Sequence, residues 1–507
     1  MLVAPRGKCA YDGEVSEPCL EAFDLAVIGG GPAGVTAALR AAELGARVAL
    51  VERDRLGGTC TDDGCAPTRV LAKAARLIRD AEQLGDYGLS ADRPVLDLRA
   101  LLAATQRTVY ELHEKKQLVG HLEQAAVTLI GGRGPASFAD PHTVVVPDGS
   151  TIHAERFVIA CGGHPRRLPF PGSELALTPS DVWALPRVPA SLAIVGAAAT
   201  GAQLASIFAA FGSHVTVLEL APRVVPSEDP DISTALQSAF AANGINVLVG
   251  IDGVEAIKRA GRNLRLSYRH RDSGTEIDVD AVILAVGWPG NLEGLGLEHA
   301  GVRTERGYVA VNDELRTSAP HIWAAGDVTG RMMLVQGATH EGRVAAENAL
   351  GSTGGTLRHT IVAHGGFTDP EYGSVGLTEA AASADGQGVV IGRIPYADLD
   401  RAVIDRRTEG FCKLVVDAES RRVLGAHVIG EQAVEVVQIA AAAMAAGMPV
   451  ERLAEIEFAY PTFTAIVGLA ARQVVHALRL GADATAWEAM GRPRQSEWER
   501  SATLDAE

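Results

Sequence analysis

The sequence has few cysteines, no excess of positive charge and no apolar run at its amino terminus. Its 507 residues include 6 cysteines, and residues 1–21 lack the apolar segment of a secretory signal. We therefore expect a cytoplasmic protein, in which a lasting disulfide is catalytic or redox-sensing. The 46 basic and 62 acidic side chains give a net charge of −16, which argues against nucleic acid or a membrane as a partner.

Cys60 and Cys65 form a C-x4-C pair, and no second pair lies nearby. A structural zinc needs four ligands, so we predict no resident metal. A pair spaced like this at the opening of a helix can close into a small disulfide, and helix N–H groups lower the pKa of its thiols. Gly64 lets the backbone bend between them. The pattern predicts a redox-active dithiol, whereas the more distant Cys9 and Cys19 are read as incidental.

A dinucleotide-binding pattern precedes this pair. The apolar strand Phe23–Ile28 runs into Gly29-x-Gly31-x-x-Gly34, and a helix and a second strand ending in Glu52 follow. Gly29 makes the tight turn, Gly31 lets the backbone approach a pyrophosphate, and Gly34 lets the helix pack on the strand. Glu52 is then placed to bind a ribose hydroxyl pair.

The chain repeats this unit. One constant shift along the sequence lays Gly29 on Gly196, Gly34 on Gly201, Gly45 on Gly212 and Glu52 on Glu219. Ala198 replaces the middle glycine, which weakens the second pattern without removing it. The uncharged run Leu192–Phe211 is long enough to span a membrane, but it is better explained as strand, loop and helix of this repeat. We therefore expect two dinucleotides.

Further motifs make the chain resemble the flavoprotein disulfide reductases, which include dihydrolipoamide dehydrogenase, glutathione reductase and mercuric reductase. These motifs are Val158–Gly163, Val282–Gly287 followed by Asn291, Ile322–Asp327 and Gly410–Asp417.

The resemblance implies an α/β fold with two Rossmann-like domains, for FAD and NAD(P), and a carboxy-terminal α+β dimerisation domain, hence a homodimer. The expected segments are an N-terminal extension (1–21), the FAD domain (22–160 and 291–357), the NAD(P) domain (161–290), the dimerisation domain (358–480) and a polar tail (481–507).

The resemblance also implies which residues bind the cofactors. FAD is expected at Gly29, Gly31, Gly34, Glu52, Gly58, Thr59, Gly326 and Asp327, and the nicotinamide cofactor at Gly196, Gly201, Glu219 and Gly287. We expect a preference for NADH, because an acid at Glu219 pairs the ribose hydroxyls and repels a 2′-phosphate. Arg223 is expected to offset part of that repulsion.

By resemblance, electrons pass from the nicotinamide through the flavin to the Cys60–Cys65 disulfide. Cys65 is then the thiol beside the flavin, and Cys60 is the thiol that attacks the substrate. Arg69 stands where the family has a lysine near the flavin, and Gln203 replaces the glutamate that pairs with that lysine. Two interpretations stay open: the less compensated cation raises the flavin potential, or Gln203 merely packs its helix.

The expected acceptor site departs from the family pattern at Tyr460 and Ala465. Relatives that reduce ordinary disulfides carry a histidine and its orienting carboxylate there. A phenol with a pKa near 10 is a poor base, and losing a general acid–base costs about two to four orders of magnitude in rate. Mercuric reductase also has the tyrosine, together with a run like Ser227–Pro230, but its terminal cysteine pair is missing from Ser501–Glu507.

The catalytic residues expected are thus Cys60, Cys65, Arg69 and Tyr460. The acceptor expected is a soft metal ion such as Cu(II), a quinone or an electrophilic small molecule. The alternative function is a non-catalytic redox sensor or regulatory subunit whose disulfide reports the nicotinamide pool.

Overall fold

The computed structural model describes residues 22–351, 355–357, 359, 361–384 and 388–480. The predictions made for the two extensions, for Cys9 and Cys19 and for Ser501–Glu507 lie outside the described residues. The described chain forms two compact units. Unit 1 takes residues 22–196, 207–218 and 251–359, and unit 2 takes residues 197–206, 219–250 and 361–480.

The strands, in chain order, are β1 (Phe23–Ile28), β2 (Val48–Glu52), β3 (Thr128–Gly131), β4 (Ser137–Asp140), β5 (Thr143–Val145), β6 (Thr151–Ile159), β7 (Ser191–Val195), β8 (His214–Glu219), β9 (Asn246–Val249), β10 (Gly253–Ala260), β11 (Asn263–His270), β12 (Ser273–Val279), β13 (Ala281–Leu284), β14 (Thr304–Glu305), β15 (Tyr308–Val309), β16 (Ile322–Ala324), β17 (His364–Gly366), β18 (Tyr372–Gly376), β19 (Val389–Pro395), β20 (Phe411–Asp417) and β21 (Val423–Ile429).

The helices are α1 (Pro32–Glu43), α2 (Gly58–Asp62), α3 (Cys65–Glu82), α4 (Leu98–Lys116), α5 (Leu118–Gln124), α6 (Ala199–Ala210), α7 (Pro230–Ala242), α8 (Val335–Ala349), α9 (Glu379–Ala384), α10 (Asp400–Ile404), α11 (Ala433–Ala445), α12 (Val450–Ala454) and α13 (Ala465–Ala477). Short 3-10 helices lie at Leu84–Tyr87, Ser173–Leu175, Pro179–Ala184, Asp327–Thr329 and Tyr396–Asp398.

The main sheet of unit 1 carries the first dinucleotide loop. Strands β3, β2, β1 and β6 are parallel, β16 pairs with β6, and β5 and β4 extend the sheet as antiparallel strands. Leu25, Ala26 and Val27 of β1 are fully buried, as expected for a parallel strand covered on both faces. Helix α1 begins at Pro32, because proline suits the first turn of a helix.

A second parallel sheet holds β13, β7 and β8, with β7 in the middle. Its residues Leu192–Val195 are fully buried. The uncharged run is therefore β7, a loop and α6, as the sequence predicted. Among the described residues, no helix is long and apolar enough to cross a membrane.

Unit 2 contains a five-stranded antiparallel sheet in the order β17-β18-β21-β20-β19. Helix α11 packs on β18 and β21, and α13 packs on β19 and β20. The core between them includes the fully buried Tyr396, Val436 and Ile466. The fold class is thus confirmed, and the residue boundaries of the domains stay a prediction.

Candidate active site

The two glycine loops share the same backbone contacts. The Gly29 N–H donates to the Val51 carbonyl at 2.8 Å, and the Gly196 N–H donates to the Leu218 carbonyl at 2.8 Å. A Cβ at Gly29 would lie 2.3 Å from the Ala160 oxygen, and one at Gly196 would lie 2.3 Å from the Ala285 oxygen. Only glycine fits at these two turns, which also have φ of +108° and +100°.

The two acidic residues at the strand ends are held in the same way. Glu52 accepts the Gly30 N–H at 2.6 Å and the Asp54 N–H at 2.9 Å. Glu219 accepts the Ala197 N–H at 2.5 Å and the Ala221 N–H at 2.8 Å. Each carboxylate oxygen keeps a lone pair for a ribose hydroxyl. The predicted internal repeat therefore extends to individual hydrogen bonds.

The first loop and α2 form a cradle of bare backbone that fits a flavin dinucleotide. A Cβ at Gly58 would lie 2.9 Å from the Gly31 Cα, and one at Gly34 would lie 1.8 Å from the Gly29 oxygen. Thr59 follows at the start of α2. Such a cradle lets a pyrophosphate approach the backbone, so the residues predicted for FAD fit that cofactor.

Gly326 and Asp327 lie after β16, where the ribityl chain was expected. The Gly326 N–H donates to Glu341 at 2.7 Å. Burial and the nearby Glu341 raise the pKa of Asp327 to about 6. Glu341 is itself fully buried and lies 2.8 Å from the His359 Nε2. Sequence reasoning missed Glu341 and His359, because both are distant from Gly326 in sequence and belong to no local motif.

The two cysteines are free thiols on different helices. Cys60 lies inside the short α2, and Cys65 begins α3. Only Cys65 thus stands at a helix opening, which refines the prediction made for the pair. The hydrogen bond from Cys60 lowers the pKa of Cys65 to about 7, although burial opposes that change. The same hydrogen bond, together with burial, raises the pKa of Cys60.

Three of the four residues between the cysteines, Thr61 to Asp63, are each held by a side chain from elsewhere in unit 1. The Lys116 Nζ donates to Thr61 Oγ1 at 2.7 Å, and the His113 Nε2 lies 2.7 Å from Asp62 Oδ1. Asp63 accepts the Trp183 indole N–H at 2.6 Å and the Ser180 hydroxyl proton. These partners were missed, since no local pattern connects them to the cysteine motif.

Arg69 and Gln203 occupy the positions expected to act near the flavin. Arg69 is half-buried on α3, one turn after Cys65. The Gln203 amide donates to the Ala199 carbonyl at 2.9 Å and accepts the Phe367 N–H at 3.1 Å. Both ends of this side chain are therefore engaged within unit 2, which favours the interpretation that Gln203 packs its helix.

Arg223 donates hydrogen bonds to the backbone of its own loop. Its Nη2 donates to the Pro226 carbonyl at 2.7 Å and to the Glu228 carbonyl at 3.3 Å. The guanidinium is thus committed to the backbone of its own loop. The expectation that its charge offsets part of that of Glu219 stays a prediction, because carbonyl acceptors orient the guanidinium and do not cancel its charge.

Gly287 and Asn291 mark the exit from the second sheet. Gly287 has φ of +110°, in the region that favours glycine. Asn291 donates to the Cys161 carbonyl at 2.8 Å, and the Cys161 thiol donates to the Asn291 carbonyl at 3.2 Å. These two hydrogen bonds therefore join the segment that follows β6 to the segment that follows β13.

Tyr460 has a carboxylate partner that the sequence did not reveal. Its side chain is 78% exposed, and its hydroxyl donates to Asp400 Oδ2 at 2.6 Å. The hydrogen bond and the charge of Asp400 raise the pKa of this phenol. Ala465 cannot supply the carboxylate that the family has at its position. Asp400, the first residue of α10, supplies a carboxylate to Tyr460 instead.

Phe463 fixes the loop that carries Tyr460. Its ring stacks on Tyr396 at 5.8 Å, and the Arg401 guanidinium lies 5.3 Å from its centroid on another side. Arg401 follows Asp400 directly. The loop and the start of α10 are therefore packed as one structure within unit 2.

Among the described residues, no group of three or more His, Cys, Asp or Glu side chains is arranged to hold a metal ion.

Two dinucleotide loops and a dithiol after the first loop define a class of oxidoreductase that uses a flavin and a nicotinamide. The sequence profile of the pyridine nucleotide-disulphide oxidoreductases matches residues 23–342, and that of their dimerisation domain matches residues 362–471. The chain belongs to this family and is an FAD-dependent NAD(P)H oxidoreductase.

Two curated relatives and one solved structure illustrate the similarity. Dihydrolipoyl dehydrogenase of Chlorobaculum tepidum is 34% identical over 89% of this chain and 96% of its own length. Mercuric reductase of Lysinibacillus sphaericus is 33% identical over 89% of this chain and 82% of its own length. The solved structure is the Cu(II) complex of the HOCl-induced flavoprotein disulfide reductase RclA from Escherichia coli. Its superposition covers 90% of this chain and 100% of the RclA chain, with a TM-score of 0.79 and 28% identity.

Proposed function

We propose that this enzyme passes electrons from NADH through Cys60 and Cys65 to an acceptor other than an ordinary disulfide, and that a soft metal ion such as Cu(II) is the first candidate. FAD, when bound, relays two electrons from the nicotinamide to the cysteine pair. The residues that would bind FAD are those of the backbone cradle at Gly29, together with Glu52 and Asp327. The protein's remaining contribution is to place the thiols and to control their protons.

The pairing of Tyr460 with Asp400 is the observation that carries this proposal. A disulfide substrate releases a thiolate that needs a proton from a group with a pKa near neutrality. The phenol of Tyr460 is above that range, and Asp400 raises its pKa further. Tyr460 therefore stays protonated, and its hydroxyl orients an acceptor without acting as a base.

Metal reduction needs no such base. The reduction of the Cys60–Cys65 disulfide takes two electrons and two protons, which NADH and one solvent proton supply. When the dithiol returns to the disulfide, two Cu(II) ions become two Cu(I) ions and two protons leave for solvent. The relatives named for mercury reduction and for a Cu(II) complex support this acceptor class.

NADH is the preferred donor in this proposal. Glu219 is fixed by two backbone N–H groups at the end of β8, and its charge opposes a 2′-phosphate. Arg223 is engaged by its own loop. The positive charge nearest in sequence to Glu219 is therefore directed at carbonyl oxygens.

A panel of acceptors tests the proposal. The holoenzyme is reduced anaerobically with NADH and mixed with Cu(II), a quinone, lipoamide or glutathione disulfide, and the return of oxidised flavin absorbance is followed. We expect Cu(II) to reoxidise the enzyme at least tenfold faster than either disulfide.

Tyr460→Phe provides the control. It should leave flavin reduction by NADH unchanged and slow only the reoxidation step. Comparable rates for lipoamide and Cu(II) would overturn the acceptor assignment. Turnover that persists in Cys60→Ser would show that electrons bypass the dithiol.

A further inference from the structure

The last turn of α4 contacts the segment between the two cysteines. His113 and Lys116 are three residues apart, so both point from one face of the helix. Their side chains reach two consecutive residues, Asp62 and Thr61. The helix therefore delivers two basic side chains beside the dithiol from within the same subunit.

The two basic groups differ in what neutralises them. His113 lies against the carboxylate of Asp62 at 2.7 Å, so any positive charge on the imidazole is compensated. Lys116 donates to the hydroxyl of Thr61, which is neutral, at 2.7 Å. Thr61 is fully buried, and its hydroxyl donates to the Gly57 carbonyl at 3.3 Å. The anchor thus fixes the ammonium without cancelling its charge.

We propose that Lys116, held by the Thr61 hydroxyl, is the cation that keeps one thiol of the Cys60–Cys65 pair ionised in the reduced enzyme. It acts through the electrostatic field at the sulfur atoms, and it is a positioning residue rather than a group that contacts the acceptor. The inference deepens the proposed function, since it concerns the same dithiol.

The charges around the dithiol are consistent with this role. The hydrogen bond between the thiols has the largest effect on both pKa values, and beside it the charge of Lys116 lowers the pKa of each thiol while the charge of Asp327 raises it. Other charged or titratable groups on the surrounding elements include Asp62 and Asp63 between the cysteines, His113 and Lys115 on α4 and Arg69 on α3. Asp63 is held by neutral donors, Trp183 and Ser180.

The test measures the thiolate directly and uses no acceptor. The holoenzyme is reduced by two electrons anaerobically, and the long-wavelength absorbance of a thiolate beside oxidised flavin is titrated with pH. In Lys116→Met the apparent pKa of this band should rise by about one unit, the lower end of the effect of an opposite charge at close range. Lys116→Arg restores a cation and should recover most of the wild-type value.

Lys115→Met is the matched control. Lys115 is the neighbouring, exposed residue of the same helix end, so this variant loses the same charge from the protein. It should leave the pKa of the band within about 0.2 units of wild type, because solvent screens an exposed charge. An equal shift in Lys115→Met, or no shift in Lys116→Met, would overturn the inference.

Thr61→Val provides a second, independent variant. It keeps the lysine and removes its anchor, so we expect a smaller shift in the same direction. If Lys116→Met does not retain flavin, Thr61→Val decides, and an unchanged pKa there counts against the proposal. Because no acceptor is present, a failed acceptor assignment leaves this result standing, and an unchanged thiolate pKa leaves the acceptor panel standing.

Discussion

Cys60 and Cys65 have identical side chains, and their surroundings separate their pKa values. One hydrogen bond between the thiols lowers the pKa of Cys65 to about 7 and raises that of Cys60. The proton of the reduced pair therefore resides on Cys60 near neutral pH. This agrees with the prediction that Cys65 is the thiolate beside the flavin, which stays a prediction.

Replacing Cys65 with serine should abolish the long-wavelength thiolate band of the reduced holoenzyme and all turnover through the dithiol. In the wild type the band should grow as the pH rises through about 7, because the thiolate is the form present above the pKa. Spectra of the anaerobically reduced enzyme between pH 5.5 and 9, about three pH units apart, check this. Cys161→Ser, which keeps a donor for the Asn291 carbonyl, should retain the band.

Tyr460→His should create activity on simple disulfides without a second change at position 465. Asp400 already lies where it can orient the new imidazole, and a positioned acid–base group contributes about a hundredfold in rate or more. We expect NADH-dependent lipoamide reduction to rise by about that factor. Tyr460→Phe should give no gain, and Asp400→Asn in the Tyr460→His background should remove most of it.

Two outcomes would contradict the expected effect of Tyr460→His. If the wild-type enzyme reduces lipoamide as fast as NADH reduces its flavin, the missing base limits nothing. A gain in Tyr460→His that is unaffected by Asp400→Asn would show that the carboxylate does not orient residue 460.

The site residues that sequence analysis identified are those with local spacing. The glycines, Glu52, Glu219 and the cysteine pair each follow from a pattern within one short stretch. Asp400, Lys116 and Trp183 could not be predicted, because each comes from a different element and is recognisable only through its contact. Tertiary packing, rather than local pattern, decides which charged side chains surround a reactive group.

At the scale of elements, the Ser227–Pro230 run turns out to fasten α7 to the sheet of unit 2. Asp229 is the N-cap of α7 and lies 3.1 Å from the Lys413 Nζ on β20. Glu228 accepts the Ser374 hydroxyl proton at 2.6 Å and lies 3.1 Å from the His364 Nε2. The residues that this run shares with mercuric reductase therefore have a structural role, which is to hold α7 against the sheet of unit 2.

Lys413→Met should destabilise the fold by about 3–5 kcal/mol, since it leaves the buried Asp229 without its cation. Burial raises the pKa of Asp229, but its hydrogen bonds to Asp231 N–H and Lys413 outweigh that effect, so its pKa is lowered. A lowered pKa contributes stability above the ordinary value that is lost as the pH falls. The variant lacks this contribution, so the difference in unfolding free energy between wild type and variant should be largest near pH 7 and should narrow as the pH falls.

Urea unfolding followed from pH 7 to pH 4, about three units, measures this change. The exposed Lys258→Met on β10 provides the control and should remain within about 0.5 kcal/mol of wild type. Equal stability of Lys413→Met and wild type would mean that the backbone N–H groups of Asp231 and Glu379 are enough to compensate the buried Asp229 carboxylate.

The end of β8 is the element that should select the nicotinamide cofactor. Stopped-flow reduction of the flavin should saturate at lower NADH than NADPH in the wild type, because Glu219 favours a free 2′-hydroxyl. Glu219→Gln keeps a side chain able to accept a backbone N–H and removes the charge, so the preference should shrink about tenfold or more. Tighter saturation by NADPH in the wild type contradicts the assignment.

At the scale of the whole molecule, the dimerisation domain implies that two chains cooperate. Its sequence profile matches residues 362–471, which include Tyr460. Tyr460 belongs to unit 2, whereas Cys60 and Cys65 belong to unit 1. By family resemblance, we expect Tyr460 to serve the dithiol of the partner subunit.

Subunit complementation tests whether the acceptor site is shared. Cys65→Ser homodimers should be inactive, and Tyr460→Ala homodimers should turn over about tenfold to a hundredfold more slowly in the acceptor step. A heterodimer of the two variants, isolated with two affinity tags, contains one site with an intact dithiol and an intact tyrosine from the other chain. It should recover about half of the wild-type rate, and light scattering should give the mass of two chains. If each tyrosine instead served the dithiol of its own chain, the Cys65→Ser subunit would contribute nothing and the Tyr460→Ala subunit would keep its defect, so the heterodimer would show no more than the slow rate of the Tyr460→Ala homodimer.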